Sequence, residues 1–405
     1  MATEEQIPQF PFLRQHGVEP APENAELRHK CPIAKAQLFD GKKVWMVMKH
    51  KDICEALSSE KLSADRRNPG YPEIHPGGAK AKEARPTFVN LDNPDHGRQR
   101  AMLEDAFTPE AVHKMRPMMQ ATVDKVVDDF IKSGQTEKPV DLMENFANIV
   151  PTQIIFKILG VPESDIDSVS KDSEIRHSTS RNAAETSNQN LNEYVDKLVE
   201  ERIEKPQEDL ISKLVKEQYS KGTLDKTDIT TLGFLILTAG NAALLNSIGL
   251  GVLTLLRHPE QLDEFKTNPS IAPQVINEIL RYHTVSSLNS RRVVKQDIVI
   301  GNQPMKEGDG VICAVQSGDR DEDISPNPDK FDIHRKVDPE SVLGFGYGPH
   351  RCLADTFSRQ ELEIAITSLF QRIPKLKLAV PESDLKWSPP EQNIGIQELP
   401  VLLEG

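Results

Sequence analysis

The ten residues from Phe345 to Ala354, FGYGPHRCLA, decide the fold of this chain. The two glycines let the backbone pass close to a bulky group, because glycine has no Cβ. Cys352 precedes a segment that predicts a helix from Leu353 to about Gln371. A cysteine at a helix N-terminus lies in a positive field, which favours the metal-binding thiolate. The stretch therefore predicts a thiolate metal ligand in a close-fitting loop.

Positive charge stands directly before this cysteine, where His350 and Arg351 can face the edge of an anionic cofactor. A thiolate is one of the standard axial ligands of haem iron. The loop resembles the haem-binding signature of the cytochromes P450, with Cys352 in the ligand position. Ala354 stands where that signature usually has glycine. The resemblance implies haem b, iron protoporphyrin IX, as the cofactor.

Composition excludes several other classes of protein. The net charge of −13 argues against binding to nucleic acid or anionic membranes. Four dispersed cysteines without a CxxC pair indicate a reduced protein without disulfides or a zinc site. The uncharged stretch from Gly233 to Leu256 is long enough to span a bilayer, but its asparagines and glycines favour a buried helix. We therefore expect a soluble, cytoplasmic protein without a membrane segment.

Apolar residues three and four apart predict a mainly α-helical chain with small β sheets. The predicted helices cover 52–59, 109–133, 142–159, 163–177, 186–204, 207–219, 228–257, 260–266 and 272–282. Strands are expected in a hairpin at 37–48 and at 291–300 and 310–315. No linker is evident, so residues 1–405 are expected to form a single haem-thiolate domain. The resemblance implies the P450 fold, with haem between the long central helix and the cysteine-loop helix.

Two further pairs of residues fit this fold. His96 and Arg100 are four apart, on one face of a predicted helix, and Glu278 and Arg281 are three apart. The second pair precedes the cysteine by about seventy residues, as the P450 pattern requires, and would brace the segment before the loop. By resemblance, the haem propionates are met by His96, Arg100, Arg292 and His350.

Residues 239–243 of the predicted central helix indicate which reaction the haem supports. P450 monooxygenases usually carry an acid and an alcohol after an Ala-Gly pair in this helix, and the two deliver protons during oxygen activation. Here Ala239 and Gly240 are followed by Asn241, with Ala242 and Ala243 at the acid and alcohol positions. The usual oxygen-activating relay is therefore missing.

The chain looks most like the fungal nitric oxide reductases of the P450 superfamily. The similarity includes PTFV at 86–89, AGNA at 239–242, LRYHT at 280–284 and LGFG at 343–346. Those enzymes take hydride directly from NADH or NADPH and reduce two NO molecules to N2O, a step of denitrification. The resemblance implies NO and a nicotinamide dinucleotide as reactants, with no flavoprotein reductase. We expect the protein to be a monomer.

A dinucleotide entering an acidic protein needs a local basic channel, which would focus the field on the anion. The candidates are Arg66, Arg67, Arg176 and Arg291. Of these, Arg66, Arg176 and Arg291 are similar to basic positions of the family. The alternative is that each arginine is an ordinary surface charge.

The chain departs from these reductases at two proton-delivery positions. Ala243 replaces a threonine and Asn393 replaces an aspartate, while the serine of the same group remains as Ser286. Alanine has no hydrogen-bonding side chain, and asparagine is not an acid near neutral pH. With Asn241, these are the predicted catalytic positions. We therefore expect intact haem and nucleotide sites but altered proton delivery.

Two other functions stay open at this point. One is a P450 monooxygenase or peroxygenase that oxidises a small organic molecule with redox partners or peroxide. The missing relay argues against this function. In its favour, Ala243 departs from the pattern of the reductases as well. The other is a haem protein that senses or carries NO without turnover.

Overall fold

Helices dominate the computed structural model, which describes residues 7–15, 17–134, 138–175 and 181–403. The helices are α1 Pro22–Lys30, α2 His50–Ser58, α3 Asp95–Glu104, α4 Pro109–Ser133, α5 Ile149–Leu159, α6 Ile166–Ile175, α7 Arg181–Glu204, α8 Leu210–Glu217, α9 Lys226–Arg257, α10 Pro259–Thr267, α11 Ala272–His283, α12 Val315–Gly318 and α13 Asp355–Arg372. The strands are β1 Ile33–Gln37, β2 Lys43–Val47, β3 Leu62–Ser63, β4 Val140–Asp141, β5 Arg291–Val294, β6 Ile298–Ile300, β7 Gln303–Met305, β8 Gly310–Cys313, β9 Lys377–Leu378, β10 Lys386–Trp387, β11 Ile396–Glu398 and β12 Pro400–Leu402.

The predicted mainly helical class with small sheets is confirmed, and three local differences have physical reasons. The strand predicted at 291–300 is two strands, because polar residues 295–297 separate β5 from β6. β7 was not predicted, since it contains Pro304, which is tolerated only where no ladder donor is needed. Its partner is β6, in a separate two-stranded sheet. Helix α1 was not predicted either, because it has too few apolar residues to show a helical period.

Backbone contacts divide the chain into two units. The first unit comprises Met1–Arg100, Gln274–Asp355 and Trp387–Gly395. Its five-stranded sheet has the order β1-β2-β8-β5-β3, with β2 and β8 parallel and the other neighbours antiparallel. The turn after β1 contains Gly41 at φ +82°, a conformation that glycine adopts readily. Buried aliphatic side chains pack this sheet against α2.

The second unit comprises Ala101–Pro273, Thr356–Lys386 and Ile396–Gly405. Its longest element is α9, whose first turn is closed by a capping box between Asp225 and Asp228. α9 is long and apolar enough to cross a membrane, with half of its most apolar window buried. It packs against α5 and α7, which explains the apolar composition and agrees with the predicted buried helix.

Candidate functional site

The cysteine loop lies in the first unit and is shaped by its glycines. Gly346 and Gly348 have φ of +73° and +68°, in the region that only glycine enters without strain. A Cβ on Gly348 would lie 2.9 Å from the backbone oxygen of Leu57. The backbone N–H of Cys352 donates to the oxygen of Phe345 at 2.7 Å, which closes the loop.

The Cys352 residue is solvent-exposed at the end of this loop. α13 begins three residues later, at Asp355, so the cysteine lies before the helix rather than in its first turn. Protein atoms around the sulphur nevertheless raise the pKa of the Cys352 thiol, against a hydrogen bond from the backbone N–H of Ala354. The thiolate therefore forms with loss of a proton when a metal cation binds.

Basic side chains cluster beside this loop at the four positions predicted to meet propionates. The rings of His96 and His350 have centroids 4.1 Å apart. Arg100 donates to the backbone oxygen of Arg351 at 2.7 Å. Burial, then the charges of Arg292 and His96, lower the pKa of His350 to about 3. The structure thus brings the four predicted residues into one electrostatic cluster.

This cluster fits a haem edge because it places buried basic side chains beside the cysteine loop. Arg292 is 8% exposed, and desolvation lowers the pKa of its guanidinium. Asp92 is the acid with the largest effect on His350, and it also binds Lys295 at 3.0 Å. Buried cations require anionic partners, and two propionates supply them. The thiol of Cys352, in the same loop as His350, completes the set of groups that haem requires.

A buried ion-pair network supports the segment before the loop, as predicted for Glu278 and Arg281. Two hydrogen bonds of 2.7 and 2.9 Å join these side chains, and Glu278 is 0% exposed. Arg335 adds a second cation to Glu278 at 3.2 Å. Arg281 also donates to the backbone oxygens of Asp319 and Pro328, so the pair fixes the loop backbone.

Arg66 and Arg291 come together, but around an acid that the sequence did not single out. Glu73 binds Arg66 at 2.7 Å and Arg291 at 3.3 Å through the same carboxylate oxygen. Tyr71 lies beside both guanidinium groups, 6.0 and 5.6 Å from ring centroid to Cζ. The three ionised groups carry a local net charge of +1. Glu73 could not be predicted from the sequence, because no repeating pattern in its loop relates it to residue 291.

The other two predicted channel arginines do not join this cluster in the described structure. Arg67 forms a bidentate pair with Asp65, and about half of its side chain is exposed. That geometry is typical of a surface ion pair. Arg176 lies outside the described residues.

The two predicted catalytic positions of α9 fall on different faces of the helix. Asn241 is 3% exposed and donates through Nδ2 to Thr152 Oγ1 at 2.6 Å, which ties α9 to α5. Ala243 is only half-buried and lies about 200° further round the helix. Asn241 therefore has a packing partner of its own and does not share the face of Ala243.

Asn393 is held by the turn that contains Ser286. Its Oδ1 accepts from the backbone N–H of Leu288 at 3.1 Å and from Ser287 Oγ at 3.3 Å. Since the N–H can only donate, these bonds fix which amide atom faces the turn. A carboxylate at residue 393 would accept the same two bonds, so the substitution removes acidity and preserves this anchoring geometry.

Known proteins share this architecture. The cytochrome P450 family model matches residues 270–404. Cytochrome P450 55A3 of Fusarium lichenicola is 43% identical over 405 residues, which cover 99% of each chain. Cytochrome P450-SU2 of Streptomyces griseolus is 34% identical over 385 residues, 95% of this chain and 93% of the relative. The solved structure of cytochrome P450 MoxA from Nonomuraea recticatena is 32% identical, covers 98% of both chains and has a TM-score of 0.93.

Proposed function

This chain belongs to the cytochrome P450 family, and we propose that within it the protein is an NAD(P)H-dependent nitric oxide reductase. The reaction converts two NO, NAD(P)H and a proton to N2O, NAD(P)+ and water. The observation that carries the proposal is the full-length, 43% identity to cytochrome P450 55A3, which falls in the fungal nitric oxide reductase family. Ala242 agrees with it, because the acid of the oxygen-activating relay is missing there, whereas Ala243 departs from the reductases as well as from the monooxygenases.

Haem bound through Cys352 would supply an iron centre that binds NO and accepts reducing equivalents. The chain's own residues hold that group: His96, Arg100, Arg292 and His350 would meet its propionates. Glu278 and Arg281 keep the preceding backbone in place. These roles are common to haem-thiolate proteins and do not select the reaction.

Arg66 and Arg291 are the groups that we propose to receive the dinucleotide. Both are largely buried, with side chains 17% and 12% exposed, and both are paired with Glu73. A phosphate that approaches them competes with one carboxylate for two guanidinium groups. The pairing keeps the arginines ordered and prevents nonspecific anions from binding tightly.

Anaerobic mixing of the pure haem-loaded protein with NO and NADH tests the function directly. We expect N2O to form and NADH to be oxidised in proportion, without any added reductase. The matched control is the Cys352→Ala variant, which retains the nucleotide site but loses the metal ligand. N2O no higher than in the protein-free mixture would contradict the proposal.

Restoring the family residues tests the part of the proposal that concerns protons. The double variant Ala243→Thr, Asn393→Asp should turn over faster, because it adds a hydroxyl and an acid. Its dissociation constant for NADH should stay nearly unchanged, since neither residue belongs to the arginine cluster. Unchanged turnover would show that this chain has replaced the relay in another way.

A second candidate is oxidation of a small organic molecule, because most relatives of the chain are monooxygenases. That reaction needs electrons from a redox partner or peroxide as oxidant. NADH oxidation that occurs only after a reductase and a ferredoxin are added would favour this candidate. NO binding without any NADH oxidation would instead favour a sensor or carrier.

A further inference from the structure

Arg14 is a cation that lies among backbone oxygens instead of carboxylates. Its Nη2 donates to the backbone oxygens of Ser388 and Pro389 at 2.9 and 3.1 Å, and to Ser388 Oγ at 2.9 Å. Its Nη1 donates to the backbone oxygen of Gln392. In the described part of the chain no carboxylate forms a salt bridge with this guanidinium, and burial lowers its pKa against the charge of Glu391. The guanidinium fork therefore clamps a single loop.

The arm that presents Arg14 is fixed to the sheet of the first unit. Phe10 and Phe12 are buried, and their rings meet edge to face with centroids 5.2 Å apart. Both belong to a buried cluster with residues of β2 and β8. The backbone N–H of Phe10 donates to the oxygen of Gln37, on the edge strand β1, at 2.8 Å. Arg14 thus reaches the loop from a rigid support.

A chain of hydrogen bonds leads from this clamp to Asn393. Ser388 Oγ accepts from Arg14 and donates its own proton to the backbone oxygen of Asn393 at 2.7 Å. Through its Oδ1, Asn393 in turn accepts the two bonds from the turn that contains Ser286. Two hydrogen bonds therefore connect the guanidinium to Asn393, and the side chain of Asn393 connects to the turn.

Open space lies between the arm and the loop. Arg14, Ser287, Leu288 and Gln392 are among the residues that line this cavity. Gln392 is exposed, and so is Glu391 beside it. A loop beside open space makes fewer van der Waals contacts, so the hydrogen bonds of the clamp have a larger share in fixing its position.

We propose that Arg14 is a positioning residue, which acts through Ser388 and Asn393 to hold the turn that contains Ser286. The proposal rests on the proposed reduction of NO, in which this turn takes part in proton delivery. Arg14 itself moves no proton, because a guanidinium stays protonated in proteins. Its planar fork is the feature required, since a lysine ammonium cannot meet several backbone oxygens in the same fixed geometry.

The variants Arg14→Ala and Arg14→Lys test this role in the haem-loaded protein. We expect both to lower the rate of N2O formation by about tenfold at an unchanged dissociation constant for NADH, because a shifted turn misplaces Ser286. Guanidinium ion, added below denaturing concentrations, should restore part of the rate in Arg14→Ala. The matched control is Lys386→Gln, which breaks an exposed ion pair with Glu398 near the same loop and should keep the wild-type rate.

A double-mutant cycle tests whether Arg14 acts through Asn393. In the Asn393→Ala background, Arg14→Ala should change the rate by less than about twofold, because the connection to the turn is already broken. An equal loss of rate in the wild-type and Asn393→Ala backgrounds would overturn this path of action.

Amide hydrogen exchange gives a readout independent of turnover. The N–H of Leu288, which donates to Asn393, should exchange about tenfold faster in Arg14→Ala than in wild type, while amides of α4 keep their wild-type rates. Wild-type exchange at Leu288, or a wild-type rate of N2O formation in Arg14→Ala, would overturn the proposal. Failure of the proposed function looks different: the wild-type protein then makes no N2O, while exchange at Leu288 still decides whether Arg14 holds the turn.

Discussion

The carboxyl of Asp319 allows a sharp prediction, because burial and hydrogen bonding shift its pKa in opposite directions. It is 3% exposed, and it accepts hydrogen bonds of 2.8 Å from the backbone N–H of Leu343 and from Thr284 Oγ1. Burial raises its pKa from 3.8 to about 7, against these bonds and the charge of Arg281. The folded state thus binds the proton more tightly than the unfolded chain. The resulting stability is complete below pH 3.8 and is lost as the pH rises through about 7.

The size of the effect follows from the shift. Between about pH 5.5 and about pH 8, ionisation of Asp319 should lower the free energy of unfolding by about 2 kcal/mol. The Asp319→Asn variant should lack this loss. Its Oδ1 can still accept from Leu343, and its Nδ2 can donate to Thr284 Oγ1, whose own proton has the backbone oxygen of Arg281 at 3.1 Å. The variant should therefore gain stability relative to wild type as the pH rises.

Urea unfolding followed by tryptophan fluorescence at both pH values measures this difference. The control is Asp321→Asn in the same segment, because Asp321 is buried but has Lys49 at 3.0 Å. We expect the control to be less stable than wild type at both pH values. If the difference in free energy of unfolding between Asp319→Asn and wild type does not change with pH, the reasoning is refuted. The hydrogen bonds and Arg281 would then outweigh desolvation and keep the carboxylate charged throughout.

Three further predictions concern other buried groups. Glu73→Gln should raise the local positive charge at Arg66 and Arg291 and so tighten NADH binding, more at low salt than at high salt. Equal affinities of the variant and wild type for NADH at low salt would contradict this. Thr152→Val should lower the free energy of unfolding by about 1–3 kcal/mol, since Asn241 Nδ2 loses its 2.6 Å acceptor; urea titration measures the loss, and an unchanged midpoint would contradict it. Glu361 is buried without a hydrogen bond to either carboxylate oxygen, and burial raises its pKa to about 8. As the pH rises from about 7 to about 9, the free energy of unfolding of Glu361→Gln should therefore increase by about 1.4 kcal/mol relative to that of wild type. Parallel pH profiles of the two free energies would refute this.

Most helices and the cysteine loop could be predicted from local patterns, because helical period, glycine positions and capping residues depend on a few neighbours in the chain. α4 has the predicted bounds, 109–133. Ion pairs between distant segments could not be derived in this way. The pairing of Arg291 with Glu73 joins residues far apart in the chain, and it halves the formal positive charge that the two arginines would carry alone. Likewise, the partner of Asn241 is on α5, and only the fold reveals it.

Proton demand separates the two candidate reactions. Reduction of two NO molecules to N2O and water takes up two electrons and two protons, and a hydride brings both electrons with one of the protons. One proton then has to come through the protein. Oxygen insertion driven by a redox partner receives electrons without protons, so both protons come through the protein. A chain with alanines at 242 and 243 and an amide at 393 has few side chains for proton delivery at these positions, and the smaller proton demand of the reductase reaction is easier to meet with them.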